Sequence, residues 1–312
     1  KGRYRMAATE FRKILEQRPN YHKAKSGLAQ ALVAQGKCEE AINWLNEIPR
    51  SKNIWNFETA SAEGLCRYRM GDDSGALAAT EEALILGGGR ESNPWYQLAI
   101  ILMHNGDFEG SKMVLARLSR LGKSDGSVLM GYTWLAYLSS SEDLPIYLNK
   151  LHGSVAASGS GRVAVQYQLI NGRRWMDLNN YKKAIKSFEE GLRKSFTHAR
   201  LVSWKAEALR RNGEIHNARY MMNRIESSVS SRLKAAIEAR ILVDLGKIEE
   251  ARAKIADQSN SLDADVLASR WYIARGEGNL AEAERYAAWW DEAWGGGNRS
   301  LSQLIPVYEE GR

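Results

Sequence analysis

The chain has 312 residues, 44% of them hydrophobic and 26% charged, with 44 Lys or Arg against 37 Asp or Glu. Such a composition is that of a soluble chain, and no apolar run approaches the roughly 20 residues needed to cross a bilayer. Cys38 and Cys66 are too few and too far apart in sequence for a disulfide framework or a zinc site, so both read as small packing residues.

Lys1 to Pro19 reads as one helix, the second half of a repeat whose first half is missing. The chain is therefore expected to be a piece of a longer one or a mature form, with its compartment open between cytoplasm and periplasm. Helix–turn–helix units follow over 21–52, 56–88 and 92–122, with Gly87-Gly88-Gly89 as a loop between units. The third unit is the clearest. Pro94 suits a first helical turn, and Trp95, Leu98, Ala99 and Leu102 make one apolar stripe. Asn105-Gly106-Asp107 breaks that helix, and Phe108, Leu115 and Leu118 open a second stripe. A degenerate unit over 127–155 has Trp134 to Tyr137 in its first helix, Ser139 to Asp143 as its turn and Pro145 at the next start. The small residues of His152 to Gly161 predict the most flexible stretch and a hinge. Units resume at 164–195, 199–228, 232–258 and 264–294. The expected divisions are thus 1–155, 156–294, and a capping segment or linker over 295–312 that includes Leu301 to Tyr308. Trp289, Trp290 and Trp294 cannot all face one core, since neighbouring helical positions diverge by ~100°.

One pattern ties these units together. A turn residue followed five positions later by a small one recurs at Gly2/Ala7, Gly36/Ala41, Gly71/Ala76, Gly106/Ser111, Asn179/Ala184, Gly213/Ala218, Gly246/Ala251 and Gly278/Ala283. Glycine accepts the left-handed backbone that ends the first helix. The small residue lies where two helices cross closely. Four residues further on stands a large apolar group in most units: Phe11, Leu45, Leu115, Phe188, Met222 and Ile255. Ala29, Gly64, Ala99, Gly172, Ala206 and Ala239, seven before the turn, mark a second close crossing. The fold class that follows is all-α, built of stacked antiparallel helix pairs.

Catalytic chemistry finds no purchase. Leu121-Gly122-Lys123-Ser124 matches the end of a phosphate-binding loop, but Arg117 stands where its first glycine belongs. Gly159-Ser160-Gly161 lacks the spacing of a nucleophile elbow. The five histidines are scattered, none in an H-E-x-x-H motif. Acidic pairs such as Glu39-Glu40 and Glu249-Glu250 sit at helix starts, where the positive helix end favours them. No catalytic, metal or cofactor role is assigned, and the chain is read as a non-enzyme.

The period and residues resemble the tetratricopeptide repeat (TPR) family, whose signature runs W-x2-L-G-x2-Y, then A-x3-F, then P. Trp95-x2-Leu98-Ala99-x2-Leu102 matches its first part, and Ala7-x3-Phe11 with Pro19 and Ala184-x3-Phe188 match its second. The resemblance covers nearly all of 1–290, and no single unit carries the whole signature. It implies an α-solenoid forming a right-handed superhelix, with a concave groove lined by the first helix of each pair. It also implies protein or peptide binding. The carboxylate-clamp subset of the family uses Lys and Asn in its first units, where this chain has Ser26 and Gln30.

On that geometry the groove candidates are Tyr68, Tyr96, Met103 and His104 in the earlier units, with Leu65 and Ile100 beside them. In the later units they are Arg173, Arg210, Arg240, Tyr272 and Arg275. Residues 162–240 hold 17 Lys or Arg against 7 Asp or Glu, so the basic character is regional. Guanidinium groups suit bidentate recognition of carboxylates or phosphates. They also suit pairing with Glu207, Glu238 and Asp177 nearby. The leading expectation is a scaffold whose apolar half takes partner side chains and whose arginine half takes acidic groups. Charge reversal at Arg173 and Arg240 is then expected to abolish binding without unfolding. A polysaccharide, as in bacterial exopolysaccharide-export or pilus-assembly machines, is the second expectation. RNA is a weaker third, because no one-base-per-unit regularity appears among the lining residues. No direct membrane contact is expected.

Overall fold

The computed structural model describes residues 2–51, 54–87, 89–120, 125–158, 161–195, 198–226, 232–258 and 263–294. Among them are 17 α-helices and a 3-10 turn at Ala256–Gln258, with no strand. After α1 (Gly2–Gln17) the helices come in pairs: α2 (His22–Gln35) with α3 (Cys38–Asn46), and α4 (Phe57–Met70) with α5 (Asp73–Leu86). Next are α6 (Ser92–His104) with α7 (Phe108–Arg120), and α8 (Asp125–Leu138) with α9 (Leu144–Ser158). Then come α10 (Gly161–Asp177) with α11 (Tyr181–Lys194), and α12 (Ala199–Arg211) with α13 (Ile215–Met222). The last pairs are α14 (Arg232–Asp244) with α15 (Ile248–Lys254), and α16 (Ala264–Gly276) with α17 (Leu280–Trp294).

The turn residues behave as their chemistry requires. Gly36, Gly71, Gly106, Gly213, Gly246 and Gly278 have φ between 73° and 93°, and Asn179 takes the same left-handed conformation at 54°. Ser140, also at φ 54°, supplies the turn of the degenerate unit and completes the series. Behind each turn the small residue disappears from solvent: Ala41, Ala76, Ser111, Ala184, Ala218 and Ala251 are all 0% exposed. Phe188 is equally buried, and an added Cβ at Gly172 would meet its ring at 2.3 Å. Small on one helix and large on its neighbour is thus a matched pair.

The described residues group into two compact units. One holds Lys1–Leu102 with Met113–Lys123 and Glu226–Ser231. In it Leu28, Leu32, Cys38, Ala41 and Cys66 share one core, with Phe11 and Leu65 packed against them. The reading of the cysteines as separate packing residues is corrected here: Cys38 and Cys66 form a disulfide, with Cα atoms 4.9 Å apart. Their separation of 28 residues sounded wide, but adjacent helices α3 and α4 bring the two positions together. Closing such a loop lowers the entropy of the unfolded chain, so Cys38→Ala with Cys66→Ala is expected to cost about 3 kcal/mol in urea unfolding of the oxidised protein. Dithiothreitol should abolish most of the difference.

The other unit holds Met103–Lys112, Ser124–Ile225 and Arg232–Arg312. The stretch read as a hinge is helical in α9 as far as Ser158, where Leu148 and Leu151 bury the helix's apolar side. Its Ala and Ser residues are compatible with helix once that side is packed. Residues 159 and 160 lie outside the described residues, as do 121–124 and 295–312 with their phosphate-loop-like and capping readings. Trp290 is buried and Trp289 is 39% exposed, the divergence required of neighbours on a helix.

Candidate functional site

In the first unit, polar first-helix positions are spent on the fold. Ser26 is buried and shares a 2.8 Å hydrogen bond with Thr59, while Gln30 donates to Ser26 at 3.2 Å. The Gln97 amide on α6 accepts from the Thr80 hydroxyl on α5 at 3.0 Å and from the Leu65 N–H of α4 at 2.7 Å, and donates to the Ser61 carbonyl at 3.2 Å. This close approach needs the missing side chain at Gly64, since a Cβ there would sit 2.7 Å from the Gln97 amide. Leu65 and Tyr68 on α4, with Tyr96 and Ile100 on α6, are each half-buried. They leave apolar and aromatic surface open to water.

The second unit is different. Met103 is fully buried and His104 nearly so. Burial first, then the positive charges of Arg200, Arg173 and Arg232, push His104 well below its ordinary range, so its imidazole is neutral. Arg173, Arg210 and Arg240 are 8%, 2% and 1% exposed, whereas Arg275 lies on the surface. Arg210 forks onto Glu207 through Nε at 2.9 Å and Nη2 at 3.0 Å. Its Nη1 donates to Asp244 at 2.9 Å and to the Tyr272 hydroxyl at 3.2 Å, and that hydroxyl donates to Asp244. Arg211 donates to Glu207 at 2.8 Å. Arg240 reaches Glu207 at 3.3 Å and Asp265 at 3.5 Å. Burial opposes ionisation of Glu207, yet Arg210, Arg240 and Arg211 outweigh it and hold the carboxyl far below the usual range. Burial pushes the Tyr272 phenol up to about 12.

Arg173 is held by rings. Its guanidinium carbon lies 4.2 Å from the Trp204 ring centre, 4.9 Å from Tyr137 and 5.6 Å from Trp134. Those faces carry the negative end of the aromatic quadrupole and take the place of water around the cation. The arginine ladder read from sequence is therefore three interior struts and one exposed arginine. Charge reversal at Arg173 and Arg240 would set carboxylates beside Glu207 and Asp265 in the interior, so it is now expected to unfold this unit. The signal for the pairing was present in spacing. Glu207 precedes Arg240 by 33 residues and Arg210 precedes Asp244 by 34, one repeat in each case. An acid one repeat from an arginine on the same helix face is a pair, not a free charge.

Among the described residues, no cluster of three or more His, Cys, Asp or Glu side chains could hold a metal. Nor is any described helix long and apolar enough to cross a membrane.

A family model described as tetratricopeptide repeat matches residues 1–53. A TPR repeat-containing protein of Methanocaldococcus jannaschii is 26% identical over 201 residues, 62% of this chain and 35% of that protein. The chain thus spans about a third of the length of this curated relative. Among solved structures, yeast Tom70 is similar with a TM-score of 0.41 and 14% identity, covering 94% of this chain and 75% of that one. A tetratricopeptide repeat protein from Parabacteroides merdae gives 0.43 and 16%, covering 80% and 97%. Pseudomonas aeruginosa pilF gives 0.38 and 16%, covering 70% and 99%.

Proposed function

We propose that this chain is a protein of the tetratricopeptide repeat kind, as the match over residues 1–53 and the similarity to a TPR repeat-containing protein support, and that it is a non-enzymatic scaffold for a partner protein segment. The segment lies on the first-helix face of α4 and α6. The observation that supports this reading is that Leu65 and Tyr68 on α4 and Tyr96 and Ile100 on α6 are each only half-buried, so that apolar and aromatic area remains available. Aromatic side chains of this kind dominate interface energetics because they bury large areas at low entropic cost. The partner is accordingly apolar or aromatic at its anchors. Acidic groups are secondary, because Arg210 and Arg240 already hold carboxylates of this chain.

A display library of 12-residue peptides, selected on the intact protein, tests this. Selected peptides are expected to carry two or more large apolar residues. Tyr68→Ala with Tyr96→Ala should weaken them by at least about 100-fold, roughly 2.7 kcal/mol, while Arg275→Glu should leave them unchanged. Raising salt from 0.1 to 0.5 M should change affinity less than threefold. A steep salt dependence would instead indicate a polyanion. Full binding by the double alanine variant would reject the surface.

A further inference from the structure

The last two helix pairs border a cavity of about 190 Å³, open to solvent, lined by Arg252, Ile255 and Ala256 on one side and by Arg270, Ile273, Glu282, Tyr286 and Trp289 on the other. Its lining comes from α15, the 3-10 turn, α16 and α17. Ile255 and Ile273 are buried and give it an apolar floor. Tyr286 and Trp289 meet edge-on at 5.6 Å and form an aromatic wall, and Trp289 and Arg252 leave the rim open to water.

Its unusual member is Arg270. The side chain is 7% exposed, and its hydrogen bond runs from Nη2 to the backbone carbonyl of Gln258. No carboxylate among the described residues lies within ion-pair distance of it. The contrast with the interior arginines is sharp, because Arg210 has two acids and Arg240 has two. The nearest ring, that of Tyr286, has its centre 5.8 Å from the guanidinium carbon. Glu282 shares the cavity but is taken: it accepts from Arg252 at 3.2 Å, Asn279 at 3.1 Å and the Tyr286 hydroxyl at 2.9 Å. Burial pushes the Arg270 guanidinium below its ordinary value. A buried cation without a counterion works against stability. With four remaining N–H donors beside a cavity, it is arranged to receive an anion from outside.

We propose that this cavity is a binding site for a carboxylate carried on an apolar or aromatic stem, held by Arg270 and covered by Tyr286 and Trp289. The volume falls below the ~300–1,000 Å³ of drug-sized pockets, so the ligand is about the size of one amino-acid residue. The carboxylate would fork onto Arg270 while the stem lies between the isoleucine floor and the aromatic wall. A free acid and the C-terminal residue of a peptide offer the same chemistry. Nothing in this site depends on the peptide surface of α4 and α6.

Titration calorimetry on the intact chain tests it with three probes: 3-phenylpropionate, the tetrapeptide Gly-Ser-Gly-Phe with a free C-terminus, and the same peptide amidated. Saturable binding of either acid, with the amide at least tenfold weaker, is expected. Binding by the free acid alone would assign the site to a small molecule. Tighter binding by the peptide acid would assign it to a chain end. Arg270→Met should abolish binding of the acids and leave Tm unchanged or raised, since it removes an uncompensated charge. Trp289→Ala, at a position 39% exposed, should weaken the acids at least fivefold. Equal binding of acid and amide would overturn the proposal. So would unaltered binding by Arg270→Met, a lowered Tm in that variant, or the absence of saturable binding by both acids at millimolar concentration.

Discussion

Glu207→Ala is expected to lower the stability of the α10–α17 repeats by about 3–5 kcal/mol. One fully buried carboxylate there receives hydrogen bonds from Arg210, Arg211 and Arg240. Removing it leaves three guanidinium groups crowded and short of a counterion, with Asp244 and Asp265 as the remaining acids. The loss comes from stranding the partners and is not the net worth of the pairs, which burial largely cancels. The same carboxylate sets a pH dependence. Its folded-state value lies far below the ordinary 4.5, so its contribution is complete above about 4.5 and is lost as pH falls towards the depressed value. The gap between wild type and Glu207→Gln should therefore narrow below pH 4.5, by up to about 1.4 kcal/mol per pH unit. Urea melts between pH 2 and 7, followed by circular dichroism, read both effects.

Phe188→Ala is expected to cost about 3–5 kcal/mol, because the ring is fully buried and its loss leaves a cavity. Its partner Gly172 makes a sharper test. A methyl group there would stand 2.3 Å from the Phe188 ring, so Gly172→Ala should cost about 1–3 kcal/mol through overpacking. With the ring removed the clash goes, and alanine is the better helix former by about 0.8–1 kcal/mol. In the Phe188→Ala background Gly172→Ala is therefore expected to stabilise. A change of sign between the two backgrounds would establish the close crossing of α10 and α11. Equal effects in both would refute it.

The repeat was legible because its causes are local. A left-handed turn at Gly36 or Gly213 needs glycine whatever surrounds it, and Ala41 or Ala184 is small because one neighbouring helix crosses there. Even Ser140, which breaks the glycine pattern, fell within the turn read from Ser139 to Asp143. The charged residues of the first helices were not legible in the same way. Spacing gives Arg173, Arg210 and Arg240 a common face, but whether that face is wet depends on what stands one repeat away. Glu207, Asp244 and the rings of Trp134, Tyr137 and Trp204 answer that, and each lies on another turn or another helix. The cysteines were misread for a related reason, since a separation of 28 residues is remote along the chain and adjacent across two helices. Nothing in the sequence marks Arg270 out from the other arginines. An arginine lacking an acidic partner can be recognised only when its whole surroundings are known.

The account rests on helix pairs stacked in register, with interior arginines joining one repeat to the next. A double-mutant cycle between Glu207 and Arg240, using Glu207→Gln and Arg240→Met in equilibrium unfolding, measures that join most directly. A coupling energy of about 1–3 kcal/mol is expected for residues that share a hydrogen bond one repeat apart. Additivity within about 0.5 kcal/mol would contradict it.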